Sequence, residues 1–387
     1  MKNIGLYIHI PFCKRKCHYC DFISFSNKTD FIEQYINSLK KEIKEYKINK
    51  EEYEVKTIYF GGGTPSFIDS SYIMEIIKTL REKFNISKNA EITIEINPGT
   101  VDEQKLKDYY NAGINRISFG LQSTKSELLK LVGRIHSYNS FLDAYNLARK
   151  VGFKNINVDL MIGLPVQTIQ DIEKDLERII NLKPEHISVY SLIVEEGTII
   201  EDKIKNKELY LPSEELERKM YWKVKEELEK NEYIHYEISN FAKKGFESKH
   251  NLSCWNQEEY IGFGLAAHSY INNTRYSNTE NLENYIVGVG YHIDSQIKTT
   301  HEIQNKDDKM KEYMLLGLRK IEGVKISEFK NKFVDNPIYL YRESLSKLVT
   351  QELIEIDIDN IKLTNKGIDL ANLVWEEFVQ LATLCKI

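Results

Sequence analysis

The sequence predicts an α/β protein: a partial (β/α)6 barrel similar to a TIM barrel, followed by a mostly helical C-terminal domain. Short β-branched runs recur between residues 4 and 192, and amphipathic stretches of helical period separate them. Residues with unusual chemistry follow the ends of these runs. Because parallel strands need crossover connections, six strand–helix units in succession favour a parallel sheet with helices outside it.

The predicted strands and helices alternate along the chain. Strands are predicted at Ile4–Ile10, Val55–Phe60, Ala90–Ile96, Arg116–Phe119, Asn155–Leu160 and His186–Leu192. Helices are predicted near residues 30–46, 69–83, 102–112, 138–151, 168–181 and 213–231. In barrels of this kind the carboxyl ends of the strands form one face, and active sites lie on that face.

Composition divides the chain into three predicted parts. Residues 1–240 carry the strand–helix units, residues 241–305 are rich in Asn, Gly, Tyr and His and look irregular, and residues 306–387 return to helical patterns. In the last part IEIDIDNIKL predicts a hairpin around Asp359 and Asn360, and helices followed by such a wing resemble a winged-helix domain. Its acidic and basic residues balance, so we expect no binding to nucleic acid.

Charge and cysteine content favour a cytoplasmic protein. The net charge of -5 over 387 residues is mild and mainly serves solubility. The N-terminus MKNIGLYIHIPF contains a histidine and a proline, and we interpret it as a first strand and not as a signal peptide. No apolar run reaches the length of a membrane span, and five cysteines do not suggest a disulfide framework.

Three cysteines, Cys13, Cys17 and Cys20, follow the first predicted strand in GLYIHIPFCKRKCHYCDFISF. Thiolates bind soft metals, above all zinc and iron–sulfur clusters. A structural zinc site closes with four ligands, and only His18 and Asp21 are at hand to add one. On a [4Fe–4S] cluster three cysteines would leave one iron without a protein ligand, free to bind a substrate. Unrelated cysteines are the remaining alternative.

Other distinctive residues also follow predicted strands. The run Gly61-Gly62-Gly63-Thr64-Pro65 follows the second strand, Glu95 closes the third, Gln122 comes after the fourth and Asp159 ends the fifth. We therefore expect them to converge with the cysteines on one face. Each has a structural alternative: glycines also form tight turns, and a carboxylate can serve in an ordinary salt bridge.

The spacing C-x3-C-x2-C is the signature of radical S-adenosylmethionine (SAM) enzymes, and the chain resembles them here. The resemblance implies a [4Fe–4S] cluster on the three cysteines, whose free iron binds SAM and whose electron breaks a carbon–sulfur bond of the cofactor. It also implies a set of residues around SAM. We expect these to be Tyr7, Tyr19, Gly62, Gly63, Thr64, Glu95, Gln122, Arg134 and Asp159.

Longer motifs narrow the resemblance. LYIHIPFCKRKCHYCDF, IYFGGGTPS, ITIEINPGT, NRISFGLQS, GRIH and VDLMIGLPVQT together resemble the oxygen-independent coproporphyrinogen III oxidase superfamily. Its true oxidases carry a further cysteine two residues after the third, where this chain has Phe22. Cys-Asp-Phe is instead the pattern of the HemW family of heme chaperones. HNLSCW at residues 250–255 is similar to the HNxxYW motif that this family uses for heme, with Cys254 replacing tyrosine.

The heme motif implies roles for His250 and Trp255, and histidine is a normal axial ligand of heme iron. We add His268 as a further candidate, because YIGFGLAAHSY offers small residues against which a flat ring can lie. Structural alternatives stay open: a lone histidine is more often a satisfied structural residue, and Cys254 could be a ligand or merely buried.

Two functions therefore compete. The first is a heme chaperone that binds the cluster, SAM and heme and transfers heme to respiratory proteins, which implies peripheral association with the inner face of the membrane. The second is a radical SAM enzyme of porphyrin metabolism that acts on a tetrapyrrole. Phe22 and the HN…W segment favour the first, so coproporphyrinogen oxidase activity is not expected.

Overall fold

The computed structural model describes residues 1–291 and 297–384, and six parallel strands form its centre. They are β1 Lys2–Ile10, β2 Tyr53–Gly62, β3 Ile86–Ile96, β4 Arg116–Gln122, β5 Ile156–Ile162 and β6 His186–Ser191. Strands that follow one another in sequence pair side by side in the sheet. The six predicted strands and the parallel barrel are thus confirmed.

Helices cover the outside of this sheet. They are α1 Ile32–Glu45, α2 Ser70–Lys83, α3 Glu103–Ala112, α4 Ser126–Leu131, α5 Tyr138–Val151, α6 Ile169–Leu182, α7 Ile199–Lys205 and α8 Glu214–Lys230, with short 3₁₀ turns at Thr29–Phe31 and Pro65–Phe67. The six predicted helices correspond to α1, α2, α3, α5, α6 and α8. The short α4 and α7 were not predicted, because two turns or fewer carry little periodicity.

Alternation along the strands separates an apolar outside from a polar inside. On β1, Leu6 and Ile8 are fully buried beneath the helices, while Tyr7 and His9 point to the other face. β2 repeats the pattern, with Phe60 buried outside and Tyr59 inside, where the Tyr7 and Tyr59 rings stack. The interior of the barrel is therefore polar and suited to a ligand.

The region predicted to be irregular is regular over its described residues. It contains α9 Lys249–Trp255, β9 Tyr260–Phe263, β10 His268–Ile271, β11 Thr274–Asn278, α10 Leu282–Tyr291 and β12 Lys298–Ile303. β9 pairs in parallel with β1, and β10, β11 and β12 extend the sheet in antiparallel order. The prediction of irregularity was wrong, because these short strands depend on pairing with β1 more than on their own periodicity.

The opposite edge of the sheet is a hairpin. It consists of β7 Ile234–Glu237 and β8 Asn240–Ala242, and β8 pairs antiparallel with β6. The barrel strands therefore form an open sheet that is extended at both edges. α9 lies between these two extensions in the sequence and contacts β2.

The C-terminal region is mostly helical, as predicted. Its helices are Lys306–Gly317, Ile326–Phe333, Pro337–Leu340, Arg342–Thr350, Asn365–Asp369 and Ala371–Leu384, and its small antiparallel sheet joins Val324–Lys325, Asn360–Leu363 and Ile354–Ile356. The hairpin predicted around Asp359 and Asn360 is confirmed, and both residues donate their N–H to Asp357 Oδ1. The division into three parts at residues 240 and 305 stays a prediction.

Two features complete the fold. The main-chain N–H of Ile238 donates to the Arg319 carbonyl at 3.1 Å, and the N–H of Ile321 donates to the Tyr236 carbonyl at 3.1 Å, so the C-terminal region packs on the β7–β8 hairpin. Among the described helices, none combines the length and the hydrophobicity that crossing a bilayer requires.

Candidate functional site

The loop after β1 carries the three cysteines on a fixed base. The N–H of Cys13 donates to the Phe25 carbonyl at 2.9 Å, and the N–H of Phe25 donates to the Pro11 carbonyl at 2.7 Å. The loop therefore returns to the point where it left the strand. Cys13 is buried, while Cys17 and Cys20 are partly exposed.

The glycine-rich run after β2 lies directly against this loop. The N–H of Gly63 donates to the Ile10 carbonyl at 2.9 Å, and a Cβ at Gly63 would lie 3.0 Å from Cys13 Sγ. Gly62 has φ +108°, and a Cβ there would approach the His9 ring to 2.5 Å. These two positions accept only glycine without a shift of their neighbours.

A chain of hydrogen bonds joins four distant segments around the cysteines. Thr64 Oγ1 donates to Cys13 Sγ at 3.5 Å, and Asn97 Nδ2 donates to Thr64 Oγ1 at 2.9 Å. Arg134 donates from Nη1 to Asn97 Oδ1 and from Nη2 to the Tyr19 hydroxyl at 2.6 Å. Asn97 was not predicted, although it directly follows β3 and lies two residues after Glu95, which extends the face of Glu95 beyond the end of the strand.

Two carboxylates face the interior of the barrel, Glu95 from β3 and Asp159 from β5, with β4 between them. Glu95 Oε1 accepts a hydrogen bond from the Tyr59 hydroxyl at 2.9 Å, and Asp159 Oδ1 accepts one from Asn157 Nδ2 at 2.7 Å. Burial raises the pKa of Glu95 to about 7 and also raises the pKa of Asp159. Since burial disfavours their negative charge, a cationic ligand would stabilise both carboxylates in the ionised form.

These side chains line one cavity of about 540 Å³, a size typical of small-molecule sites. The cavity is lined by the three cysteines and by eight of the predicted SAM-binding residues: Tyr19, Gly62, Gly63, Thr64, Glu95, Gln122, Arg134 and Asp159. Gln122 has φ +71°, a strained conformation of the kind that clusters at functional sites. Tyr7 lies behind the wall, where its ring stacks on Tyr59 and its hydroxyl contacts His9 Nδ1 at 3.1 Å.

The cysteines fit an iron–sulfur cluster better than a single metal ion. In the described part of the chain, no three His, Cys, Asp or Glu side chains are grouped so that they could hold one ion. Zinc bonds thiolates at about 2.3 Å and so needs its ligands close together, whereas a four-iron cluster bonds each cysteine through a different iron. Burial raises the pKa of the Cys13 thiol and raises that of Cys20 to about 11, so iron would displace their protons.

Helix α9, which carries the predicted heme motif, closes the cavity from below. His250 is buried, its Nδ1 lies 2.8 Å from Thr57 Oγ1, and its ring stacks on Tyr59 at 5.2 Å. Burial lowers the pKa of His250 to about 4, so its ring is neutral at pH 7. Asn251 lines the cavity, and the His250 N–H donates to Glu91 Oε1 at 3.1 Å.

The other two predicted heme residues lie elsewhere. The Arg319 guanidinium stands 4.4 Å from the Trp255 ring centre and 5.2 Å from that of Trp375, so Trp255 contacts the C-terminal region. His268 begins β10 and is exposed. Over the described residues, no hydrogen bond or ring contact joins His250, Trp255 and His268, so the structure does not bring the three together.

The lower part of the cavity contains polar residues that were not predicted from the sequence. Arg116, Ser118, Asn157 and Ser188 line it together with Asn251. A signal was present, because polar side chains at every second position of a strand indicate an inward polar face. On β4 this series runs from the first residue of the strand to Gln122.

Comparison with known proteins gives matches over the barrel and over the C-terminal region. The family model of the radical SAM superfamily matches residues 7–179, and the model of the HemN C-terminal domain matches residues 304–370. The chain is 37% identical over 378 residues to heme chaperone HemW of Lactococcus lactis subsp. lactis (strain IL1403), covering 98% of each chain. It is 37% identical over 379 residues to heme chaperone HemW of Bacillus subtilis (strain 168), covering 96% of this chain and 98% of the relative.

A solved structure supports the fold independently. Coproporphyrinogen III oxidase (HemN) from Escherichia coli, described as a radical SAM enzyme, superposes with a TM-score of 0.84 at 24% identity. The match covers 97% of this chain and 90% of that chain, and it confirms the predicted fold class. Together with the near full-length relatives, these findings show that the chain belongs to the HemW family of the radical SAM superfamily.

Proposed function

We propose that this protein is a heme chaperone that binds a [4Fe–4S] cluster, SAM and heme and transfers heme to respiratory proteins. The observation that carries the proposal is the residue two positions after the third cysteine. Phe22 stands where the related oxidases carry cysteine, it lines the cavity, and it is 63% exposed. An exposed phenyl ring at the mouth of the cavity supplies apolar contact and no metal ligand.

Cys13, Cys17 and Cys20 would hold the cluster, which supplies an iron with a free coordination position when it is bound. The side chains around the cysteines hold the cysteine loop in place and supply the charges of the site. Thr64 hydrogen-bonds the Cys13 sulfur, and the Asn97–Arg134 pair ties that contact to the far wall. Further residues complete the proposed SAM site. Glu95 and Asp159 would favour a sulfonium, and Gly62 and Gly63 would allow close backbone approach.

The two candidate histidines make different demands on heme binding. His250 is neutral, as an iron ligand must be, but its ring is packed between Thr57 and Tyr59 inside the barrel. Ligation by His250 would therefore require α9 to move. His268 is exposed on β10 and would need no such movement. The relatives are heme chaperones by name, which supports a role in handling heme. Transfer to respiratory proteins and association with a membrane surface rest on the resemblance alone.

The second candidate function is a radical SAM reaction on a tetrapyrrole. It is favoured by the inward carboxylates and by the intact cysteine loop, which a protein that only carried heme would not need. The two functions differ in their product. An enzyme would convert coproporphyrinogen, whereas a chaperone would form a stable heme complex and leave coproporphyrinogen unchanged.

Anaerobic reconstitution of the full chain with iron and sulfide, followed by parallel assays, tests the proposal. We expect heme addition to give a Soret band shifted from that of free heme, and no conversion of coproporphyrinogen. His250→Ala and His268→Ala should show which histidine shifts the band, Cys254→Ala tests the departure from tyrosine, and Thr57→Val is the matched control that frees the His250 ring without removing it. Robust conversion without a stable heme complex would overturn the proposal in favour of the enzyme.

A further inference from the structure

The lower part of the cavity holds a deeply buried arginine that forms no ion pair with any described residue. Arg116 begins β4, is 2% exposed and lines the cavity. Its Nε is buried without an acceptor. In the chain as far as the structure describes it, the guanidinium also forms no ion pair and no hydrogen bond.

The carboxylates nearest in the sheet are engaged by other groups. Glu91 accepts the main-chain N–H groups of Lys249 and His250 at the start of α9. Asp159 accepts from Asn157 Nδ2 at 2.7 Å and from Ser118 Oγ at 3.3 Å. Neither carboxylate forms an ion pair with the guanidinium.

Two other arginines of the chain form ion pairs with carboxylates. Arg149 forms an ion pair with Glu185 at 2.8 Å, and Arg275 forms one with Glu312 at 2.7 Å. Both of these pairs retain some solvent exposure, so water already screens their charge. Arg116 is more buried than either, which makes the lack of a partner more costly.

Two histidines near Arg116 are neutral, and Asp159 is a carboxyl whose pKa is raised by burial although the charge of Arg116 acts to lower it. Burial and the charge of Arg116 itself lower the pKa values of His186 and His250, so neither ring adds a charge at pH 7. Thr93 lies opposite Arg116 across the β3–β4 ladder, and its buried Oγ1 also lacks a partner. Ser188 lines the same cavity and adds a further hydroxyl. The hydroxyl groups can hydrogen-bond an anion, and the carboxyl of Asp159 is already bound by Asn157 and Ser118.

We propose that Arg116 binds the carboxylate group of a ligand in the lower cavity, at a subsite separate from the predicted SAM-binding residues above it. A guanidinium presents two parallel N–H groups that match the two oxygens of a carboxylate, and the hydroxyl of Thr93 can add a third contact. The carboxylate comes either from a small free acid or from the acid arm of a larger ligand such as a porphyrin. The inference requires neither the cluster nor SAM.

Binding of formate and bromide to the purified full chain tests this inference without any cofactor. Unfolding temperatures are measured at constant ionic strength in buffers whose other anion is a bulky sulfonate. We expect saturable stabilisation of the wild type by both anions. Arg116→Gln should lower the apparent affinity about tenfold or more, because it removes charge-assisted hydrogen bonds. Arg81→Gln, which changes an exposed arginine that hydrogen-bonds the Ala112 carbonyl, is the control and should behave like the wild type.

Two further measurements keep the inference falsifiable. Arg116→Lys keeps the charge without the fork, so it should retain bromide but weaken formate. Coproporphyrin, added in place of formate, separates the two sources of the carboxylate. If binding of coproporphyrin and of formate both depends on Arg116, the ligand carries the carboxylate on an acid arm. If only formate binding depends on Arg116, the ligand is a small free acid. If Arg116→Gln fails to fold, bromide-soaked wild-type crystals decide through an anomalous peak at the guanidinium. Absence of that peak, or equal anion responses in the wild type and Arg116→Gln, would overturn the inference.

Discussion

The top and the floor of the same cavity are built by different means. At the top, loops after β1, β2 and β3 are tied by the chain Cys13–Thr64–Asn97–Arg134–Tyr19. At the floor, one helix, α9, closes the barrel. It inserts a histidine that Thr57 satisfies, and the floor also holds Arg116, which forms no ion pair with any described residue and whose Nε is buried without an acceptor.

The difference shows what a motif can and cannot imply. The motifs at the top lie at strand ends, and the topology of a parallel barrel brings strand ends together. The HNLSCW motif lies on a helix, whose residues point in several directions. Accordingly His250 enters the barrel while Trp255 contacts Arg319 of the C-terminal region.

Removal of a cysteine should have the largest effect of these changes, because it removes a proposed ligand of the cluster at the top of the cavity. Cys13→Ala, Cys17→Ala and Cys20→Ala should each abolish the visible absorbance of the reconstituted cluster and most of its iron. Cys254→Ala is the matched control and should keep both. Iron and sulfide analysis after anaerobic reconstitution measures the result, and normal contents in all three variants would refute the cluster assignment.

Truncation of His250 should destabilise the floor. His250→Ala removes a buried ring and leaves Thr57 Oγ1 unsatisfied, so the free energy of unfolding should fall by roughly 2–4 kcal/mol. His268→Ala, at an exposed position, should change it by less than about 0.5 kcal/mol. Urea denaturation measures both values. Equal stability of the two variants would contradict the buried placement of His250.

Loss of either carboxylate should weaken SAM while leaving the cluster in place. Glu95→Gln and Asp159→Asn each remove one charged acceptor, which should cost about 1.5–3 kcal/mol, or roughly ten- to a hundredfold in affinity. Titration of the reconstituted protein with SAM measures this. Unchanged affinity in both variants, with intact iron content, would make the two carboxylates structural.

Stability should also depend on pH through Glu95. Its folded-state pKa of about 7 lies above the ordinary value of 4.5, so between these pH values the folded state keeps a proton that the unfolded state has lost. The free energy of unfolding should therefore fall as pH rises through this window. Glu95→Gln should remove about 1–2 kcal/mol of this loss between pH 4 and pH 8, since the side chain is only partly buried. The exposed Glu51→Gln serves as control, and identical pH profiles for both variants would contradict the shift.

The sequence by itself determined the barrel and the membership of its upper site. Period-two and helical patterns are local, so the six strands and their crossover helices could be predicted within a few residues of their ends. The order of parallel strands then placed the cysteines, the glycine run and Glu95 at one face, because each follows the carboxyl end of a strand.

Only the tertiary structure decided the floor and the outer strands. The hydrogen bond between Thr57 and His250 joins residues 193 positions apart, and no local pattern reports such a contact. Likewise β9 gains its regularity from pairing with β1, and the Nε of Arg116 is buried without an acceptor because of how the strands around it pack. Burial and partner choice are properties of packed elements, so they arise only when distant segments meet.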